Sequence, residues 1–108
     1  MDRRLEPIFE ASPSGEYLWV NHQFSSFVER DCNDVLGHNW KNTVHEEDRL
    51  RVVSNWDNSV KEGRSFEEEY RITTPSGKTI KVISSAVNNN GHGYVGFLRL
   101  SEEKLAEQ

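Results

Sequence analysis

Hydrophobic positions along the chain change period several times, and each change marks an element. In Glu46–Glu62, Leu50, Val53, Trp56 and Val60 recur at spacings of three and four, which predicts a half-buried helix with that stripe facing a core. Glu46, Glu47 and Asp48 fill its first turn, where the helix dipole favours negative charge, and Gly63 stands where a left-handed cap ends a helix. Over Ser65–Thr74 the period falls to two. Phe66, Tyr70 and Ile72 share one strand face, Glu67, Glu69 and Arg71 the other, and Glu68 interrupts the apolar side.

Upstream, Pro7–Ala11 and Glu16–Val20 read as two short strands joined by the Ser12-Pro-Ser-Gly15 turn. In the second strand Tyr17 and Trp19 alternate with Leu18 and Val20, so both faces are apolar. Asn21 is placed to cap a short helix by accepting from the amide of Gln23 or Phe24, and Phe24, Phe27 and Val28 form its buried stripe. Asp31–Gly37 reads as one helical turn, capped by Asp31 or Asn33 and stopped by Gly37, followed by a loop up to the main helix.

Downstream, Pro75-Ser-Gly77 is a turn and Lys78–Val87 a strand. Its Ile80, Val82, Ser84 and Ala86 lie on one side, and Lys81, Ile83, Ser85 and Val87 on the other. Asn88–Gly93 is a turn-rich loop, Tyr94–Leu100 the last strand, and Ser101–Gln108 the opening of a polar helix. Apolar residues stand on both sides of the last two strands, so the pattern leaves open which side faces inward. The element order excludes an alternating βαβ sheet. It predicts an α+β fold, with one five-stranded antiparallel sheet and its short helices and one longer helix packed on one face.

The 108 residues suffice for a single core. A net charge of −5 without a basic patch argues against nucleic-acid partners held through phosphates. Cys32 is the only cysteine, which excludes an internal disulfide and suits a reducing, cytoplasmic setting. No apolar run has the length of a membrane span, so no direct membrane insertion is expected, and Met1-Asp-Arg-Arg does not lead into a signal-peptide core.

Catalytic signals are sparse. His45 and Asp48 stand i, i+3 with no Ser, Cys or Lys nucleophile beside them, and read as the cap of the main helix. His22, His38, His45 and His92 have no ligand spacing, so no metal site is expected. The chain is not expected to be an enzyme. Its aromatic residues Phe24, Phe27, Trp40, Trp56 and Tyr70 serve either as plain core or as the lining of a ligand site. Small Ser84, Ala86 and Gly96 would leave space for a ligand if they face the helices. Any such ligand, a small molecule, is expected between sheet and helices, against Phe27, Trp40, Val53, Trp56, Tyr70 and Ser84.

Several of these segments, taken together, resemble a known family. Gly37-x-x-Trp40, Val44-His-x-x-Asp-Arg49, Phe66-x-x-Glu-Tyr-Arg-Ile72 and Pro75-Ser-Gly77 resemble a PAS sensor domain of the subgroup whose main helix opens with an HPEDR-like sequence. Trp19-Val-Asn-His-Gln-Phe24 is similar to the family's Y-V-N-x-x-F junction. The resemblance runs from about Pro7 to Lys104. It implies a PAS-like sensor domain over 1–101 and the start of a linker helix at 102–108. It also implies a meander of the last three strands with the first hairpin beside it.

In function it implies a sensory module of a multidomain signalling protein, such as a histidine kinase or a cyclic-dinucleotide enzyme, with an effector domain in the same chain. The alternative is a ligand-free module for dimerisation through the sheet or the terminal helices. Haem-binding members offer a His from the main helix, and Glu46–Glu62 has none. Flavin-binding light sensors carry G-x-N-C-R-F-L-Q; here Gly37-His-Asn-Trp40 puts Trp where the adduct-forming Cys belongs, and Lys41-Asn-Thr-Val44 follows. Neither cofactor is expected. Arg99-Leu-Ser101 replaces the family's D-I-T-like junction, with Arg for the Asp that helps couple the sheet to an outgoing helix.

Overall fold

The computed structural model describes residues 6–101. Strands β1 (Ile8–Ala11) and β2 (Tyr17–Val20) form the first hairpin and lead into helix α1 (His22–Val28). Two short 3-10 helices, Cys32–Val35 and Asn39–Thr43, precede helix α2 (Glu46–Glu62). Strands β3 (Phe66–Thr73), β4 (Thr79–Asn88) and β5 (Tyr94–Leu100) complete an antiparallel sheet of order β2-β1-β5-β4-β3. This is the α+β, PAS-like arrangement that the sequence predicts. The polar segment expected to open a helix at 102–108 lies outside the described residues.

The caps behave as their residue types dictate. Asn21 accepts from the Phe24 amide at 2.9 Å, and Gly63 takes φ +66° at the end of α2. The imidazole of His45 caps α2 by accepting from the Glu47 amide at 3.1 Å.

Three expectations need correction. Leu50 is 80% exposed, whereas Asp48, Val52, Trp56 and Ser59 form the buried face of α2. Two successive spacings of three each fall about 60° short of a full turn, so Leu50 has drifted about 120° around the helix from Trp56. Val53 and Val60 lie at the border, half-buried. The segment after Gly37 is not a plain loop, because Asn39–Thr43 is helical and buries Trp40 and Thr43. The single turn expected at Asp31–Gly37 contracts to Cys32–Val35 without a side-chain cap, and Gly37 bridges Tyr17 instead of ending a helix.

Register decides the faces that periodicity left open. Tyr17 and Val20 are both buried although they are three residues apart, which a regular strand forbids. A register shift opposite Glu10 and Ala11 pairs Ala11 with Tyr17 and Glu10 with Trp19. Leu18 is therefore the extra residue of a β-bulge, and the strand changes face there. In β4, Val82, Ser84 and Ala86 face the helices; in β5, Tyr94, Gly96 and Leu98 do.

Candidate functional site

Between the helices and the sheet lies a cluster of aromatic rings centred on Trp56. Trp56 is 3% exposed and meets Phe9, Tyr17, Trp40, Phe66 and Tyr94 with ring centroids 5.1–6.4 Å apart. Its indole N–H donates to the Gly15 carbonyl at 3.0 Å, which ties α2 to the first hairpin turn. Only glycine suits that turn. Gly15 has φ +93°, and a Cβ there would stand 3.0 Å from Trp56 Nε1 and 3.1 Å from Val60.

Tyr17 lies between two parallel rings, Phe9 at 4.4 Å and Trp40 at 5.2 Å. The Asn39–Thr43 helix presents Trp40, and Thr43 Oγ1 donating to the Trp40 carbonyl at 2.7 Å braces it. Trp40 Nε1 is buried and has no hydrogen-bond partner among the described residues. On the sheet, Glu68 pairs with Ser84 and Tyr70 with Val82, so Tyr70 and Ser84 are diagonal neighbours on the inner face. Burial pushes the Tyr70 phenol up to about 12, with the nearby Ser84 hydroxyl acting in the opposite direction. Burial, and secondarily Tyr70, pushes the Tyr17 phenol well above its usual value.

Of the six residues that the sequence nominated, Trp40, Trp56, Tyr70 and Ser84 are buried in this interior. Val53 is half-buried at its edge. Phe27 is half-buried too, and lines a surface groove of about 370 Å³ with Pro7, His22, Gln23 and Ser26. Sequence reasoning did not nominate Phe9, Tyr17 or Tyr94. No periodic signal marks Tyr17, because the bulge at Leu18 alone turns it inward. Gly96 leaves no space for a ligand: the Phe9 ring fills it, and a Cβ there would meet Phe9 Cζ at 2.3 Å.

At the border, Asp48 takes three hydrogen bonds from Arg71: from the backbone N–H at 2.9 Å, from Nε at 3.0 Å and from a terminal nitrogen at 2.7 Å. Glu68, the polar break in the apolar face of β3, pairs with Arg51 and accepts from Asn55 at 2.9 Å. No group of three or more His, Cys, Asp or Glu that could hold a metal occurs among the described residues. Among those residues, no helix is long and apolar enough to cross a membrane.

Known proteins share this architecture. A domain of a sensory box sensor histidine kinase/response regulator from Geobacter sulfurreducens is 21% identical, with 87% of this chain and 82% of that one covered and a TM-score of 0.71. The N-terminal domain of a diguanylate cyclase with PAS/PAC sensor from Marinobacter aquaeolei is 14% identical, with 96% and 100% covered and a TM-score of 0.77. The LOV domain of a blue-light activated histidine kinase from Erythrobacter litoralis is 14% identical, with 91% and 97% covered and a TM-score of 0.75. A comparison with curated protein sequences returned no significant match. A family model, described as the PAS fold, matches residues 17–97, from Tyr17 beneath Trp40 to the last strand, and the chain belongs to that family.

Proposed function

We propose that this chain is the sensory module of a multidomain signal-transduction protein, such as a histidine kinase or a cyclic-dinucleotide enzyme. In this reading it is not itself an enzyme and works in the cytoplasm. A small-molecule cue enters between the helices and the sheet, and an effector domain in the same chain receives the resulting change of packing. The observation that carries the reading is the position of Trp56. One side chain of α2 touches rings from β1, β2, β3, β5 and the Trp40 helix, so a ligand that displaces it alters the helix-to-sheet packing on all sides. A cue shifts the balance between two packings only by its differential affinity for them.

A flavin does not fit the residues at this position. Trp40 stands where the cysteine of flavin photosensors belongs, and its ring is packed flat against Tyr17 and edge-on to Trp56 at 6.1 Å. The test of the reading is a thermal-shift screen of metabolites. A true cue at a hundredfold excess over its dissociation constant stabilises the fold by about 2.7 kcal/mol; a screen without hits rejects the reading.

A second reading has its own support, on the outer face of the sheet. Trp19, Val95 and Val87 are 47%, 47% and 61% exposed, and with Glu10 they form one row across β2, β1, β5 and β4. Ile8 and Phe97 are paired in the next row. Such an exposed, largely apolar surface, interrupted by Glu10, suits a homodimer. Sedimentation across a range of concentrations tests this reading, and a monomer at all of them rejects it.

A further inference from the structure

The outer face of the sheet carries a charge that its own chain leaves unanswered. Glu10 is exposed and stands in the row between Trp19 on β2 and Val95 on β5. Its carboxylate has no hydrogen bond or ion pair among the described residues. A second copy that covers this face covers Glu10 with it, and a carboxylate taken from water without a cation is costly. The second copy must therefore bring a positive charge to that point.

Among the described residues, strands β1–β5 hold three cations: Arg71, Lys81 and Arg99. Asp48 holds Arg71 at the border with α2. Arg99 alternates with Val95 and Phe97 on the outer face of β5, with its side chain 47% exposed. Its contact with Glu67, at 3.4 Å from a terminal nitrogen, is open to water, and a guanidinium has donors left for a second carboxylate. Lys81 lies one strand and one row further from Glu10, since Ile83 is the partner of Arg99.

The register supplies the geometry. Glu10 pairs with Val95 and Ile8 with Phe97, so Arg99 stands one row beyond Phe97. With about 4.8 Å between strands and about 3.4 Å per residue, Glu10 and Arg99 are about 14 Å apart, and the midpoint falls between Ile8 and Phe97. Consider two sheets face to face, with a twofold axis between them that crosses this line at right angles over its midpoint. Each Glu10 then meets the partner's Arg99, and Phe97 meets the partner's Phe97. An axis along the row of Trp19 and Val95 would instead set Glu10 against the partner's Glu10, and like charges in contact oppose association.

We infer that two copies pack through this face in the first register, with Glu10 of each paired to Arg99 of the other on either side of Ile8 and Phe97. This rests on the homodimer reading and names the contact that selects the partner. It also gives a role to Arg99, the residue at which the chain departs from the D-I-T-like junction.

Sedimentation across a range of concentrations measures the dissociation constant of the dimer for the unaltered protein and its variants. Glu10→Arg and Arg99→Glu should each weaken association by about tenfold or more, because each brings like charges together twice per dimer. Two combinations should recover most of that loss: the chain with both substitutions, and an equimolar mixture of the two single variants. Both restore opposite charges at each end of the contact, and the first keeps the net charge at −5. Glu67→Gln removes only the contact within the chain and should not weaken association. All three positions are exposed, so calorimetry of dilute samples should show an unchanged monomer midpoint. Single reversals without effect, or no recovery in either combination, overturn the inference and leave the homodimer reading standing. A loss with Glu67→Gln equal to that with Arg99→Glu also overturns it, because Arg99 then acts through its own chain. If a single reversal does not fold, the doubly substituted chain decides. An unaltered protein that stays monomeric at every concentration rejects the homodimer reading, and the inference with it.

Discussion

Asp48 in the first turn of α2 holds Arg71 of β3 by both its carboxylate oxygens, with Oδ1 2.7 Å and Oδ2 3.0 Å from the guanidinium. The same Oδ2 accepts the Arg71 backbone N–H, while the Arg71 carbonyl accepts the His45 N–H at 2.8 Å. The start of the helix is thus sewn to the middle of the strand. Arg71 holds the Asp48 carboxyl well below the usual carboxylate range, with Arg51 adding to the effect and burial opposing it. A depressed carboxyl stabilises the fold above its unfolded pKa of about 3.9 and loses that contribution as pH falls further. Glu47, 3.4 Å from Arg71, shares the network. Stability should therefore hold from neutrality down to about pH 4 and fall below it. Asp48→Asn should cost about 2–3 kcal/mol at pH 7, less than a fully buried pair because the Arg71 side chain is 36% exposed. The cost should shrink below about pH 4. Urea unfolding at several pH values measures both effects.

Trp56 and Leu50 make a paired test of the α2 face. Trp56→Ala should cost about 3–5 kcal/mol, as for buried aromatics in general. Leu50→Ala, at a position 80% exposed, should stay within about 0.5 kcal/mol. Urea midpoints of the two variants decide; equal losses would contradict the assigned face.

Gly96 is needed for its lack of a side chain. An added Cβ would meet Phe9 Cζ at 2.3 Å and the Ser85 carbonyl oxygen at 2.6 Å, and the second contact is with backbone. Gly96→Ala should cost about 1–3 kcal/mol, and trimming Phe9 to Leu in the same chain should recover only part of it. Thermal unfolding of the single and double variants measures this. Full recovery would mean that the backbone contact is harmless.

These positions also mark how far the sequence could be read. Asn21 and Gly63 act through local backbone rules, so their roles were visible from residue type and place. The sheet order followed from element order together with the resemblance. The inward turn of Tyr17 was not visible, since a one-residue bulge reverses the faces of a strand without altering its composition. Leu50 misled because a run of threes looks helical yet walks around the helix. The Asp48–Arg71 pair joins residues 23 positions apart in sequence, and only the packing of α2 on β3 brings them together. Trp40 was nominated as core or as the lining of a ligand site, but its unpaired N–H is visible only in three dimensions.

The outer face of the sheet gives a prediction independent of the interior. If Trp19 and Val95 form an interface between copies, Trp19→Ser with Val95→Ser should weaken self-association at least tenfold without lowering the thermal midpoint of the monomer. Both side chains are about half exposed, and surface changes seldom alter stability. Sedimentation velocity reads the first effect and calorimetry the second.

The central claim is that the space between the helices and the sheet receives a cue. Native mass spectrometry of the protein purified without added ligand, followed by unfolding, dialysis and refolding, tests it most directly. The account predicts a small adduct in the first spectrum, its loss after refolding, and a lower thermal midpoint for the stripped protein, restored by adding the adduct back. A bare mass in both spectra, an unchanged midpoint and a metabolite screen without hits would contradict the account and leave the dimerisation reading in its place.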